Sequence, residues 1–188
     1  MEKKLYEIYN KKCKIKNDIN EHLPILKKYA SECKTIVELG VRKIISSWAL
    51  LVGLYESKEI DKRLYSVDIV YANGYHKLRK FYNLTKVKTR LYVDNSLTVI
   101  LPQRDMTFID TWHIYGQLKK ELDYHSKLTN KYIIMHDTTS YEFTGEFSNL
   151  EKMVEESQFT KEEIKKGLWH AIDDFLKNNN NWILHERL

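Results

Sequence analysis

Two cysteines, Cys13 and Cys33, are too few for a disulfide framework, and neither has a metal-type partner at short spacing. They read as the reduced thiols of a cytosolic protein. No apolar run approaches the roughly 20 residues needed to cross a bilayer, which argues against a membrane span. The first residues, MEKKLYEIYNKKCKIK, are charged throughout and do not resemble a signal peptide. An excess of one charge sign is also missing: the net +5 is spread along a chain in which Lys and Glu interleave. A nucleic-acid partner is therefore unforced, and no basic groove with aromatic platforms stands out. Internal repeats are absent. What is present, 43% hydrophobic and 30% charged residues over 188 positions, suits one globular domain with a real core.

The informative stretch runs from Met106 to Thr139 and reads as strand, helix, strand. MTFID and KYIIMHD are short apolar runs of the kind buried on both faces of a sheet. Between them, Leu118, Leu122 and either His125 or Leu128 recur at helical spacing. Asp110 and His113 follow the first strand, and His136 and Asp137 end the second. In an open parallel sheet such side chains converge on the ligand crevice. Two carboxylates and two imidazoles gathered there could bind a divalent ion and move a proton.

The preceding chain supports the same plan. Residues 1–34 read as an N-terminal helical flank or lid, and residues 35–188 as one globular domain. TIVEL is a buried strand followed at once by Gly40, and SSWALLVGL opens a helix, the start of a nucleotide-type βαβ unit. RLYSVDIV is a second strand with Asp68 near its end, placed to bind both hydroxyls of a ribose. KTRLYVDNS is a third, ending at Asp94, Asn95 and Ser96. After Asp137 a polar stretch with scattered aromatics suits a covering loop. KEEIKKGLWHAIDDFLKNN then reads as a periodic helix and WILHERL as a final strand.

Taken together, VELGVR, YSVD, YVDNS and FIDTWHIY…YIIMHDT resemble the class I methyltransferases that use S-adenosylmethionine (SAM). Within them, the chain resembles the small-molecule O-methyltransferases related to cephalosporin hydroxylase and the macrolide-sugar methyltransferases. The resemblance spans roughly residues 18 to 188. It implies an α/β fold, a three-layer sandwich with a doubly wound, mostly parallel sheet, whose seventh strand is missing from this sequence. Either the chain is truncated, or a neighbouring chain fills the gap in a homo-oligomer, or the sheet keeps an open edge.

Residue by residue, the resemblance implies that Glu38, Gly40, Asp68, Asp94 and Ser96 bind SAM. Asp110, His136 and Asp137 would hold a metal, and His113 would be the catalytic base. Magnesium is the metal implied; His136, as an imidazole, would instead suit a transition metal, support the site from behind, or face the substrate. Asp110 and Asp137 could alternatively just cap strand ends, and His113 could pack on Trp112. Ile44 stands where the first motif usually has a second glycine and should crowd the turn. The implied activity is methyl transfer to a hydroxyl of a small molecule, with a sugar or glycan favoured. The alternatives are a hydroxylase-like or non-catalytic SAM-binding protein, or a nucleic-acid methyltransferase.

Overall fold

A computed structural model describes residues 1–187. Its contacts divide the chain into two compact units: residues 1–109 with 128–136, and residues 110–127 with 137 onwards.

The first unit is built on five parallel strands: β1 (Thr35–Leu39), β2 (Arg63–Asp68), β3 (Lys88–Val93), β4 (Arg104–Ile109) and β5 (Thr129–Met135). Their order is β3-β2-β1-β4-β5, so the sheet grows outward in both directions from β1. This is the doubly wound α/β class that the sequence implies. Four strands carry an acid within or directly after them, and the parallel register brings Glu38 beside Ser66.

Helices α1 (Glu2–Lys14), α2 (Leu23–Ala30), α3 (Ile45–Glu56), α4 (His76–Arg79) and α5 (Tyr82–Thr85) complete this unit. From Ser46 to Leu54 every residue of α3 is buried, the signature of a core helix rather than a surface one. The N-terminal segment joins the same core: Leu5, Tyr9, Leu23 and Leu26 cluster with Ile36, Trp48, Leu51 and Phe108. Pro24 sits in the first turn of α2, where its missing N–H costs no helical bond. Both cysteines are free thiols, and burial pushes that of Cys33 up to about 12.

One buried charge organises this core. Glu38, on β1 and fully buried, accepts hydrogen bonds from Ser46 Oγ at 2.6 Å, Ser47 Oγ at 2.8 Å and Ser66 Oγ at 2.7 Å. Tyr75 extends the network by donating to Ser66 Oγ at 3.0 Å. Two of these serines open α3, so the carboxylate also lies at the positive end of that helix.

The second unit contains α6 (Tyr115–His125), α7 (Leu150–Glu156), α8 (Lys161–Lys165) and α9 (Leu168–Asn178). Here two sequence expectations are corrected. The long periodic helix is split between α8 and α9, because Lys166 bridges Thr144 and the Gly167 N–H donates to Phe143 O at 3.0 Å. The expected strand WILHERL is irregular over its described residues, 182–187. Arg187 instead pairs with Glu142 at 2.6 Å and lies over the Trp169 ring, while Ile183 is 80% exposed. Leu188 lies outside the described residues.

Removing the Glu38 carboxylate should leave three buried hydroxyls without their acceptor. Urea denaturation of Glu38→Ala is expected to show a loss of about 3 kcal/mol or more. A loss under about 1 kcal/mol would mean that the cage adds nothing net.

Candidate active site

In the first unit, the turn after β1 carries three residues in the left-handed region: Gly40 (φ 84°), Arg42 (φ 45°) and Ile44 (φ 55°). That region costs an ordinary L-residue about 1–2 kcal/mol, so the turn must be held from outside. Asp68 holds it. Its Oδ2 accepts the N–H groups of Val41 and Arg42, both at 2.9 Å, and its Oδ1 accepts that of Val70 at 3.0 Å. Gly40 itself donates to Val67 O at 2.9 Å, and Asp94 donates its N–H to Asp68 O at 3.0 Å.

Gly40, Asp68 and Asp94 are thus brought together at the carboxyl ends of β1, β2 and β3. Ile69 and Val70, beside Asp68, are 75% and 65% exposed. Ser96 is buried just beyond Asp94. Glu38 is turned inward to its serines. Ile44 takes the backbone conformation a glycine would take, with its side chain buried.

In the second unit, Asp110 directly follows β4, and Asp137, with a left-handed φ of 55°, comes two residues after β5. Ligand atoms of Asp110, His113 and Asp137 all lie within 4.8 Å of one another. His113 Nε2 sits 3.3 Å from Asp110 Oδ1 and 3.3 Å from Asp137 Oδ2. Its Nδ1 lies 2.9 Å from Glu146 Oε2. The Tyr141 ring stacks on the imidazole at 4.7 Å and 8°.

Burial is the largest influence on this imidazole and lowers its pKa. The hydrogen bond with Asp110 and the charges of Asp137, Asp110 and Glu146 outweigh it, so the pKa is raised above the ordinary histidine value.

The loop carrying these groups is tied on two sides. Thr111 Oγ1 donates to Glu121 Oε2 at 2.8 Å, and Glu121 is fully buried on α6 with Gln117 donating to it at 2.7 Å. Trp112 Nε1 donates to the backbone oxygen of Glu146 at 3.1 Å, and its ring packs edge-on against Phe159.

His136 is not in the group formed by Asp110, His113 and Asp137. It belongs to the first unit, buried, with its ring edge-on to His22 at 5.2 Å. Two residues of the site escape sequence reasoning. Glu121 left one signal, an acid on the apolar stripe of Leu118, Leu122 and His125; Glu146, in a polar loop, left none.

No family model and no curated protein matches this chain. Solved structures do. The Podospora anserina methyltransferase PaMTH1, bound to S-adenosylhomocysteine (SAH), matches with a TM-score of 0.55 at 14% identity, over 95% of this chain and 79% of that one. The O-methyltransferase from Bacillus cereus in complex with SAH gives 0.51 at 13% identity, over 95% and 79%. TomG, a Streptomyces achromogenes O-methyltransferase in complex with SAM, gives 0.50 at 12% identity, over 87% and 70%. The chain therefore has the Rossmann-like fold of the class I SAM-dependent methyltransferases. No described helix is long and apolar enough to cross a membrane.

In the metal-free protein, ¹H–¹⁵N NMR titration should find His113 titrating above the ordinary value of 6.5. A raised folded-state pKa stabilises the protein fully below the unfolded value, and this contribution is lost as pH rises through the folded one. Asp110→Asn should move the titration down; an unchanged midpoint would contradict the charge argument.

Proposed function

We propose that this chain is a SAM-dependent O-methyltransferase that acts on a hydroxyl of a small molecule, with metal assistance. The observation that carries the reading is the grouping of Asp110, His113 and Asp137, in a chain with a methyltransferase fold. A sugar or glycan acceptor is favoured by the sequence resemblance.

In the first unit, the Gly40 turn would receive SAM. Asp68 would bind the ribose hydroxyls with the acceptor capacity left after its three backbone bonds, since a carboxylate offers roughly four acceptor sites. Exposed Ile69 and Val70 offer apolar surface for the adenine. SAM carries its methyl on a sulfonium, so the chemistry needs chiefly an activated acceptor held in line.

A hydroxyl is a poor nucleophile near neutral pH, and the second unit addresses that. The two carboxylates of Asp110 and Asp137 offer oxygen donors that fit a divalent ion, which leaves the His113 imidazole free to act as a base. Asp110 and Asp137 would hold the ion, which when bound would supply Lewis acidity that lowers the acceptor's pKa. His113 would take the proton at Nε2, with Tyr141 covering the ring face.

The test is transfer of labelled methyl from SAM to a panel of sugars in the presence of a divalent ion. Label should appear on a hydroxyl and be lost on exhaustive chelation. Asp137→Asn keeps a residue tolerant of the left-handed backbone, so it should fold yet lose turnover with SAH affinity intact. His113→Ala should lose about 10²–10⁴ in rate. SAM binding without transfer to any hydroxyl would favour a non-catalytic SAM-binding protein.

Asp68→Ala should weaken SAH binding by about 1.5–3 kcal/mol in titration calorimetry, since it removes both the ribose acceptor and the support of the turn. Unchanged affinity would remove Asp68 from the cofactor site.

A further inference from the structure

We propose that one face of β2 and β3 is a docking platform for single-stranded nucleic acid. That face lies wholly in the first unit and shares no residue with the proposed cofactor turn.

An all-parallel sheet normally has both faces covered. Side chains alternate along a strand, so β2 and β3 each present two sets. On β2, Leu64 and Ser66 are buried, and Leu64 joins the helical core. Arg63 and Tyr65 belong to the other set and are only half-buried. The parallel register sets Arg63 beside Lys88, Tyr65 beside Arg90 and Val67 beside Tyr92. Lys88 and Arg90 are exposed, and Tyr92 is half-buried. Residues 94–103, which lead from β3 to β4, form no helix that could cover this surface. Two tyrosines and three cations are left on one side of the strand pair at the edge of the sheet.

These groups touch one another. The Arg90 guanidinium lies over the Tyr92 ring, 4.5 Å from its centre, and the Tyr65 ring is 6.2 Å from that of Tyr92. Among the described residues Arg90 makes no ion pair, so its charge is open to a ligand. Arg63 and Lys88 share a single acid, Asp61, at 2.6 and 2.8 Å, which leaves positive charge in excess. Toward the amino ends of the strands the surface runs past Arg63 into a groove of about 310 Å³. Lys34 and the buried Arg104 add cations there. The groove's second acid, Asp105, is occupied by the N–H groups of Lys34 at 2.6 Å and Thr35 at 3.3 Å.

This composition selects among ligands. A second copy of the chain docked on the same face would set cation against cation. An acidic protein segment would neutralise the charges without using the rings. A duplex keeps its bases paired, so it too would meet only the charges. A single strand uses both features: its phosphates neutralise the cations, and its bases stack on ring and guanidinium planes. No one segment of the sequence shows the platform, because it is assembled by register from R-x-Y on β2 and K-x-R-x-Y on β3.

Fluorescence anisotropy of the full chain, with labelled oligouridylate and oligothymidylate of about twelve nucleotides, tests this. Binding is expected at low salt, with log K falling linearly in log salt by about 0.7 per phosphate neutralised. The tighter of the two probes then identifies RNA or DNA as the source of the strand. Arg90→Gln, at an exposed position, should weaken binding several-fold and flatten the salt slope by about 0.7. Tyr92→Leu should weaken it roughly 5- to 100-fold with the slope unchanged, and Tyr92→Phe should bind as the parent does. No binding of either probe at low salt would overturn the proposal, as would binding that Arg90→Gln leaves unaltered. Binding that is undiminished in Tyr92→Leu and displaced by polyglutamate would overturn it in favour of an acidic protein partner.

Discussion

The carboxylate of Asp68 holds the turn that follows β1. Two backbone amides converge on one of its oxygens at 2.9 Å, from a turn with three left-handed residues. Two of those residues, Arg42 and Ile44, are not glycine, so their conformation has to be imposed. β2 imposes it by ending in an acid at the right height, which the parallel register with β1 guarantees. The start of α3 and the burial of Ile44 follow from that clamp.

The two units handle negative charge in different ways. In the first, Glu38 and Asp68 are satisfied by neutral donors, serine hydroxyls and backbone amides. Such donors are fixed by the fold and leave no protons to exchange near neutral pH. In the second, Asp110, Asp137 and Glu146 surround one imidazole, a group that titrates.

Much of the first unit was legible in the sequence because its signals are local. TIVEL, RLYSVD and KYIIM read locally as strands, and Gly40 directly after one of them marks a βα turn; KYIIM, expected to be buried on both faces, is instead the edge strand, with Tyr132 to Met135 only half-buried. The pairing of Asp110 with His113 was legible as well, since they lie three positions apart. Less legible were roles set by distant partners. Glu38 matches a cofactor motif, yet its carboxylate goes to Ser46, Ser47 and Ser66, a role set by a register that no local pattern reveals. Glu146 reaches His113 across 33 positions through a strap defined only by tertiary contacts. WILHERL has the composition of a strand, but its described residues, 182–187, are irregular, and the described sheet ends at β5. Its arginine found an ion pair and an aromatic ring instead.

The central claim is that this chain binds SAM in its first unit and a divalent ion in its second. A crystal structure with SAH and Mn²⁺, with data collected at the manganese edge, tests both at once. The account predicts SAH with its ribose on Asp68, and an anomalous peak bonded to Asp110 and Asp137. Density for SAH at the Gly40 turn without any peak between those two carboxylates, at saturating Mn²⁺, would contradict it.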